Sequence, residues 1–186
     1  MEVHEKYVGG GTVGDIMSST NDTTSVLKSG LVTTFPHGTI QSRFGSKLGY
    51  IHPMERIALT ANGNLQRIFS SYYDAPVEVV VESCNNVKNS VWDRRVHLSI
   101  FDQVFCTATS QVEVHSSVCI ALVQSGKVGI GQLFRHLDRL PTFELLDVGR
   151  CSHGGLWREY MLECKEVSCR IHEEFIPNAW DLIDDE

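Results

Sequence analysis

Nothing in these 186 residues forms an apolar run of the about 18 or more needed to cross a bilayer as a helix. The opening Met1-Glu2-Val3-His4-Glu5-Lys6 lacks the charged-then-apolar layout of a secretion signal and any transit pattern. A cytoplasmic chain with no membrane partner is the expectation. There is no Lys/Arg stripe, and 16 Lys+Arg against 23 Asp+Glu leave a net charge of -7. A phosphate backbone needs a basic face, so nucleic acid is not an expected partner. The eight histidines form neither H-x-H nor H-x-x-x-H, and the six cysteines form no C-x-x-C. Zinc spacings are therefore missing, and neither metal nor cofactor is expected. Cys106, Cys119, Cys164 and Cys169 lie in apolar stretches and read as reduced core thiols, although Cys164 and Cys169 flank a hairpin turn and could come close.

The length suits one domain large enough for a core and a small-molecule cavity. Residues 1–47 read as a Gly/Ser/Thr-rich extension, 48–180 as the domain and 181–186 as an acidic tail. Gly9 to Gly14 satisfies G-x-G-x-x-G, but no strong strand precedes it and no long helix follows, so it is not read as a dinucleotide site. Val26 to Phe35 reads as an added strand or a lid. From Pro53 the signals sharpen. Pro53 suits the first position of a helix and Gly63 its stop, and Leu65, Ile68, Phe69 and Tyr72 mark a second helix. Strands are predicted at about 77–83, 94–101, 103–114, 144–148, 156–164 and 167–176, with a helix at about 129–139. Asp102-Gln103 and Lys165-Glu166 read as hairpin turns. The sum is α+β: a single antiparallel sheet of about six strands with helices packed on one face.

Two strands aim charges inward. In Val167 to Phe175 the apolar or Cys positions are 167, 169, 171 and 175, so the period of two puts Glu173 on the buried face and Glu174 and His172 outside. In Arg94 to Ile100 the apolar positions are 96, 98 and 100, which turns Arg94 inward and Arg95 outward. A buried carboxylate needs a cation or a task, and Arg94 is the candidate partner, either as a structural ion pair or as half of a site. Ile130, Leu133, Phe134 and Leu137 have helical spacing, so Gly131 falls near a helix N-terminus, where unpaired N–H groups attract anions. Arg158 shares a strand face with Leu156, Tyr160, Leu162 and Cys164; it is either a second inward ligand for a substrate or a salt bridge at the sheet end.

The order of several motifs carries a further signal: Pro53 to Leu59 with Ala61 to Arg67, Pro76-Val77-Glu78-Val79, Arg94-Arg95-Val96, Ile130-Gly131-Gln132-Leu133-Phe134, Phe143 to Arg150, Gly155-Leu156-Trp157 and Glu173 to Pro177. In this order they resemble the chorismate pyruvate-lyase family and its chorismate-lyase-like relatives, over about residues 50 to 178. The resemblance implies the same α+β architecture with a ligand enclosed between sheet and helices. It implies that Arg94 grips a substrate carboxylate, that Glu173 contacts the ring-hydroxyl end, that a backbone N–H at Ile130-Gly131 approaches the carboxylate, and that Leu65 lines the ring, unless Leu65 is ordinary core. The family commonly has a basic residue directly after the Ile/Leu-Gly pair; here Gln132 stands there, with Arg135 three positions later. The implied activity is a carbon–oxygen lyase that eliminates pyruvate from chorismate to leave 4-hydroxybenzoate, with Glu173 and Arg94 as catalytic residues. Two alternatives stand beside it: an enzyme of the same fold that dehydrates, isomerises or cyclises another phenolic or polyketide-like substrate, and a non-enzymatic binder of aromatic carboxylates.

Overall fold

The computed structural model describes residues 31–34, 40–124 and 129–184. The glycine motif at 9–14, with the rest of residues 1–30, residues 35–39 and the last two residues of the tail, lies outside the described residues. Within Val26 to Phe35, β1 (Val32–Thr34) is a strand; it pairs with β2 (Ile40–Ser42) in a small antiparallel ribbon that accompanies the main sheet.

Three helices follow: α1 (Gly45–Leu48), α2 (Pro53–Thr60) and α3 (Leu65–Tyr73). The start of α2 is fixed by a reciprocal cap, in which the Glu55 carboxylate accepts from His52 N–H at 2.8 Å and His52 Nδ1 accepts from Met54 N–H at 3.3 Å, with Pro53 in the first turn. Asp74, in the left-handed region, ends α3.

The main sheet comprises β3 (Glu78–Lys88), β4 (Val91–Ile100), β5 (Gln103–Val114), β6 (Thr142–Arg150), β7 (Leu156–Glu163) and β8 (Val167–Phe175), in the spatial order β3-β4-β5-β8-β7-β6, antiparallel throughout. Between β5 and β6 run α4 (Ser117–Gln124) and α5 (Ile130–His136). This excursion carries β6 to the far edge, so the final strand, β8, returns to the middle of the sheet. The α+β expectation holds, with three local differences. The β3–β4 hairpin runs to Lys88 and Val91 where the sequence predicts a strand ending near 83; its polar tip is held by Asn86 Nδ2, which donates to the carbonyls of Asn89 and Val91. The β4–β5 turn is Phe101-Asp102, one residue earlier than predicted, with both residues at positive φ as a tight two-residue hairpin requires. Helix α4 was not predicted: Val118 to Val123 is apolar on every side and has no period to read.

One sheet face is covered by the helices and the other is polar. On the covered face, Phe69 of α3 stacks on Phe105 at 3.9 Å and on Trp180 at 4.1 Å, which fastens α3 across the strands. The open face carries Arg95–Glu82 at 2.8 Å, Arg170–Glu159 at 2.7 Å and His172 stacked on Trp157. His172 is thus outward, as its strand position predicts.

All six cysteines are free. Burial pushes the Cys169 thiol up to about 12, and burial followed by the charge of Glu173 raises Cys106 well above the ordinary thiol range. Since the thiolate is the reactive form, an alkylating reagent at about pH 8 should leave Cys106 and Cys169 unlabelled in the native protein. Six reactive groups should appear on denaturation without reductant. Rapid native labelling at either position would contradict the burial described.

Candidate functional site

The site begins with register. The hairpin turn at Lys165-Glu166 pairs Leu162 with Cys169, Tyr160 with Ile171 and Arg158 with Glu173. Arg158 and Glu173 therefore face each other on the covered side, and Arg158 Nε donates to Glu173 Oε2 at 2.6 Å. Tyr160 donates its hydroxyl to the other oxygen, Glu173 Oε1, at 2.8 Å. Glu173 does have the cation its burial demands, but the cation is Arg158 and not Arg94. The difference arises because an inward position identifies the face a charge occupies, while register decides which charge stands across from it.

Arg158 is fully buried. Its Nη1 donates to the carbonyls of Ala58 at 2.7 Å, Leu59 at 3.3 Å and Ala61 at the end of α2, where Ala58 also accepts from Ala61 N–H. A cation at this end also meets the negative pole of the helix dipole. The guanidinium carbon lies 4.3 Å from the centre of the Tyr160 ring. Burial, the largest influence, disfavours the charge on Arg158, yet Glu173 and Tyr160 beside it outweigh burial and hold its pKa above the ordinary value. Burial, and then Glu173, raises the Tyr160 phenol well above its ordinary range, so it remains a donor.

Above this cluster lies a cavity of about 80 Å³, lined by Arg94, Ser110, Glu173 and Tyr160 from the sheet, Leu65 and Gln66 from α3, and Gly63, Ile130 and Gly131 from the loops and helix above. This is about half the roughly 150 Å³ of an apolar cavity that takes benzene, so an aromatic ring would also occupy the open side of the cavity. Five of the six residues singled out in the sequence, Leu65, Arg94, Ile130, Gly131 and Glu173, line it together. Arg158 does not; it is a salt bridge, the other of its two readings. Leu65 is both core and wall, being buried within an apolar cluster as well as facing the cavity. Gln132 and Arg135 are exposed and outside the lining.

Arg94 is 3 % exposed. It pairs with Ser110, which pairs with Ile171, and Glu173 is two residues further along β8. With strands about 4.8 Å apart and about 6.8 Å per two residues, the two Cα atoms are about 12 Å apart along a diagonal of the sheet. It crosses β5 between Ser110, which pairs with Arg94, and the small Ala108, which pairs with Glu173. One pole is a guanidinium; the other is a carboxylate already engaged by two donors. The roof is set by backbone contact: a Cβ on Gly131 would lie 2.8 Å from the Gly63 carbonyl oxygen, and Gly63 itself has φ +80°. Gly131 therefore has a packing reason to lack a side chain, independent of any ligand. Tyr160, Ser110 and Gln66 were not singled out for the site from sequence; for Tyr160 the signal was present, since the hairpin turn places it next to Arg158 and Glu173.

A larger cavity of about 290 Å³ near the start of α2 contains none of the six residues, and its Arg150 is already held by Glu55 and the carbonyls of Tyr50 and Gly154. Among the described residues no group of three or more His, Cys, Asp or Glu could hold a metal, and no helix is long and apolar enough to cross a membrane.

No family model matches the chain, and no curated protein matches it. Among solved structures it is similar to the possible transcriptional regulator YydK from Bacillus subtilis subsp. subtilis str. 168, with 11 % identity over 81 % of this chain and 73 % of that one and a TM-score of 0.40.

Proposed function

We propose that this protein binds a small monocyclic aromatic carboxylate between Arg94 and the Glu173–Tyr160 pair, and that it acts as a lyase releasing such an acid, 4-hydroxybenzoate, from chorismate. The observation that carries the reading is the convergence of Leu65, Arg94, Ile130, Gly131 and Glu173 on one cavity, where the resemblance to the chorismate-lyase-like family implies a ligand. The chemistry asks little of a protein. The ether bond to the enolpyruvyl group breaks, the hydrogen on the hydroxyl-bearing ring carbon leaves, and the enolpyruvyl methylene gains a hydrogen. Pyruvate departs and the ring becomes aromatic. Arg94 would fix the ring carboxylate by a paired, charge-assisted contact, and the half-open cavity would orient the ring against the sheet.

A second reading, a binder without turnover, is favoured by one observation: both Glu173 oxygens already accept hydrogen bonds from protein donors, a geometry suited to holding a hydroxyl rather than moving its proton. Incubating the pure protein with chorismate separates the two. Equimolar 4-hydroxybenzoate and pyruvate, formed faster than in buffer, are expected from the lyase; no product, with 4-hydroxybenzoate still bound in a direct titration, would leave only the binder.

A further inference from the structure

The inward residues of β5 are Cys106, Ala108, Ser110, Val112 and Val114, and Ser110 is the hydroxyl among them. It lines the cavity and stands directly across the ladder from Arg94. Among the described residues its hydroxyl has no hydrogen-bond partner. The residue is half-buried, so its hydroxyl is within reach of water or of a ligand in the cavity. Its position relative to the two poles is defined. Ser110 is one strand nearer to Glu173 than Arg94 is, so it flanks the carboxylate end of any ligand lying along the diagonal. Arginine reaches far and takes both carboxylate oxygens as a fork. Serine is short, and the atom left to it is the substituent on the neighbouring ring carbon.

We infer that Ser110 is a specificity-determining residue that reads an oxygen on the ring carbon adjacent to the carboxylate, so that the pocket prefers aromatic acids hydroxylated next to the carboxylate as well as at the far end. This rests on the binding reading above. In such an acid the adjacent hydroxyl turns its own proton to the carboxylate, and its oxygen is free to accept from the Ser110 hydroxyl. The far hydroxyl meets Glu173 and Tyr160 as before.

The test is a calorimetric titration of the full chain with 4-hydroxybenzoate and with 2,4-dihydroxybenzoate, both fully ionised at neutral pH. The second acid should bind tighter by roughly two- to tenfold, the range of one net hydrogen bond. In Ser110→Ala the ratio of the two affinities should fall to about one. In Ser110→Cys, which keeps the shape with a weaker donor, the ratio should lie between. These variants serve as independent tests should one fail to fold. A ratio of one in the unaltered protein overturns the inference, as does a ratio that Ser110→Ala leaves intact, including the case in which both acids weaken equally because Ser110 serves the carboxylate itself. In each of those cases 4-hydroxybenzoate still binds and the pocket reading stands. Binding of neither acid at millimolar concentration overturns both.

Discussion

Replacing Arg158 by methionine is expected to cost the folded state about 3–5 kcal/mol, the range for removing one partner of a buried ion pair. The substitution preserves much of the volume but leaves the Glu173 carboxylate buried with Tyr160 as its remaining donor, and it removes the donors that close the carbonyl end of α2. Urea unfolding should show the loss as a lower midpoint with an unchanged slope. The double variant Arg158→Met/Glu173→Leu should recover part of it, because the stranded charge is gone while the α2 carbonyls stay unmet. A loss below about 1 kcal/mol in the single variant would show that Arg158 is not what ties the helices to the sheet.

Arg94→Ala should act on ligand rather than on the tie. A charged hydrogen bond to a carboxylate contributes about 1.5–3 kcal/mol, so affinity for 4-hydroxybenzoate should drop roughly 10- to 150-fold. Arg94→Lys should restore only part of this, since an ammonium offers no fork. Calorimetry on a variant shown to be folded by its urea midpoint gives the answer. An unchanged dissociation constant would remove Arg94 from the site and with it the carboxylate end of the pocket.

The faces of the strands were legible in the sequence because burial of alternate residues is a local rule. Glu173, Arg94 and Arg158 all sit on the side their neighbours predict. Partners were less legible. The residue opposite Glu173 depends on register, and the turn at Lys165-Glu166 held that information: counting outward from it places Arg158 across from Glu173 and Tyr160 across from Ile171. Arg94 was named instead because it was the other inward charge with a matching motif, although two strand spacings separate it from Glu173. The end of α2 as the receiver of Arg158 had no signal at all in the sequence, since the contact joins segments about 100 residues apart. Helix α4 escaped for the opposite reason, a stretch too uniformly apolar to show a period. Gly131 was singled out for an anion-attracting helix end and turns out to have a steric requirement against Gly63.

The bond from Arg158 to the end of α2 also bears on the order in which the chain can become native. The carbonyls of Ala58, Leu59 and Ala61 emerge early in synthesis, and the guanidinium that satisfies them arrives about 100 residues later on the penultimate strand. The sheet has the same habit, because β8, the last of the described strands in chain order, fills the gap between β5 and β7. Long-range closures of this kind raise contact order and slow folding. The segments up to β6 thus hold an unfinished sheet edge and a helix end without its cation until the β7–β8 hairpin forms. The native pocket therefore waits for β7 and β8, and until they pair the exposed edge of β5 is open to pairing with other chains.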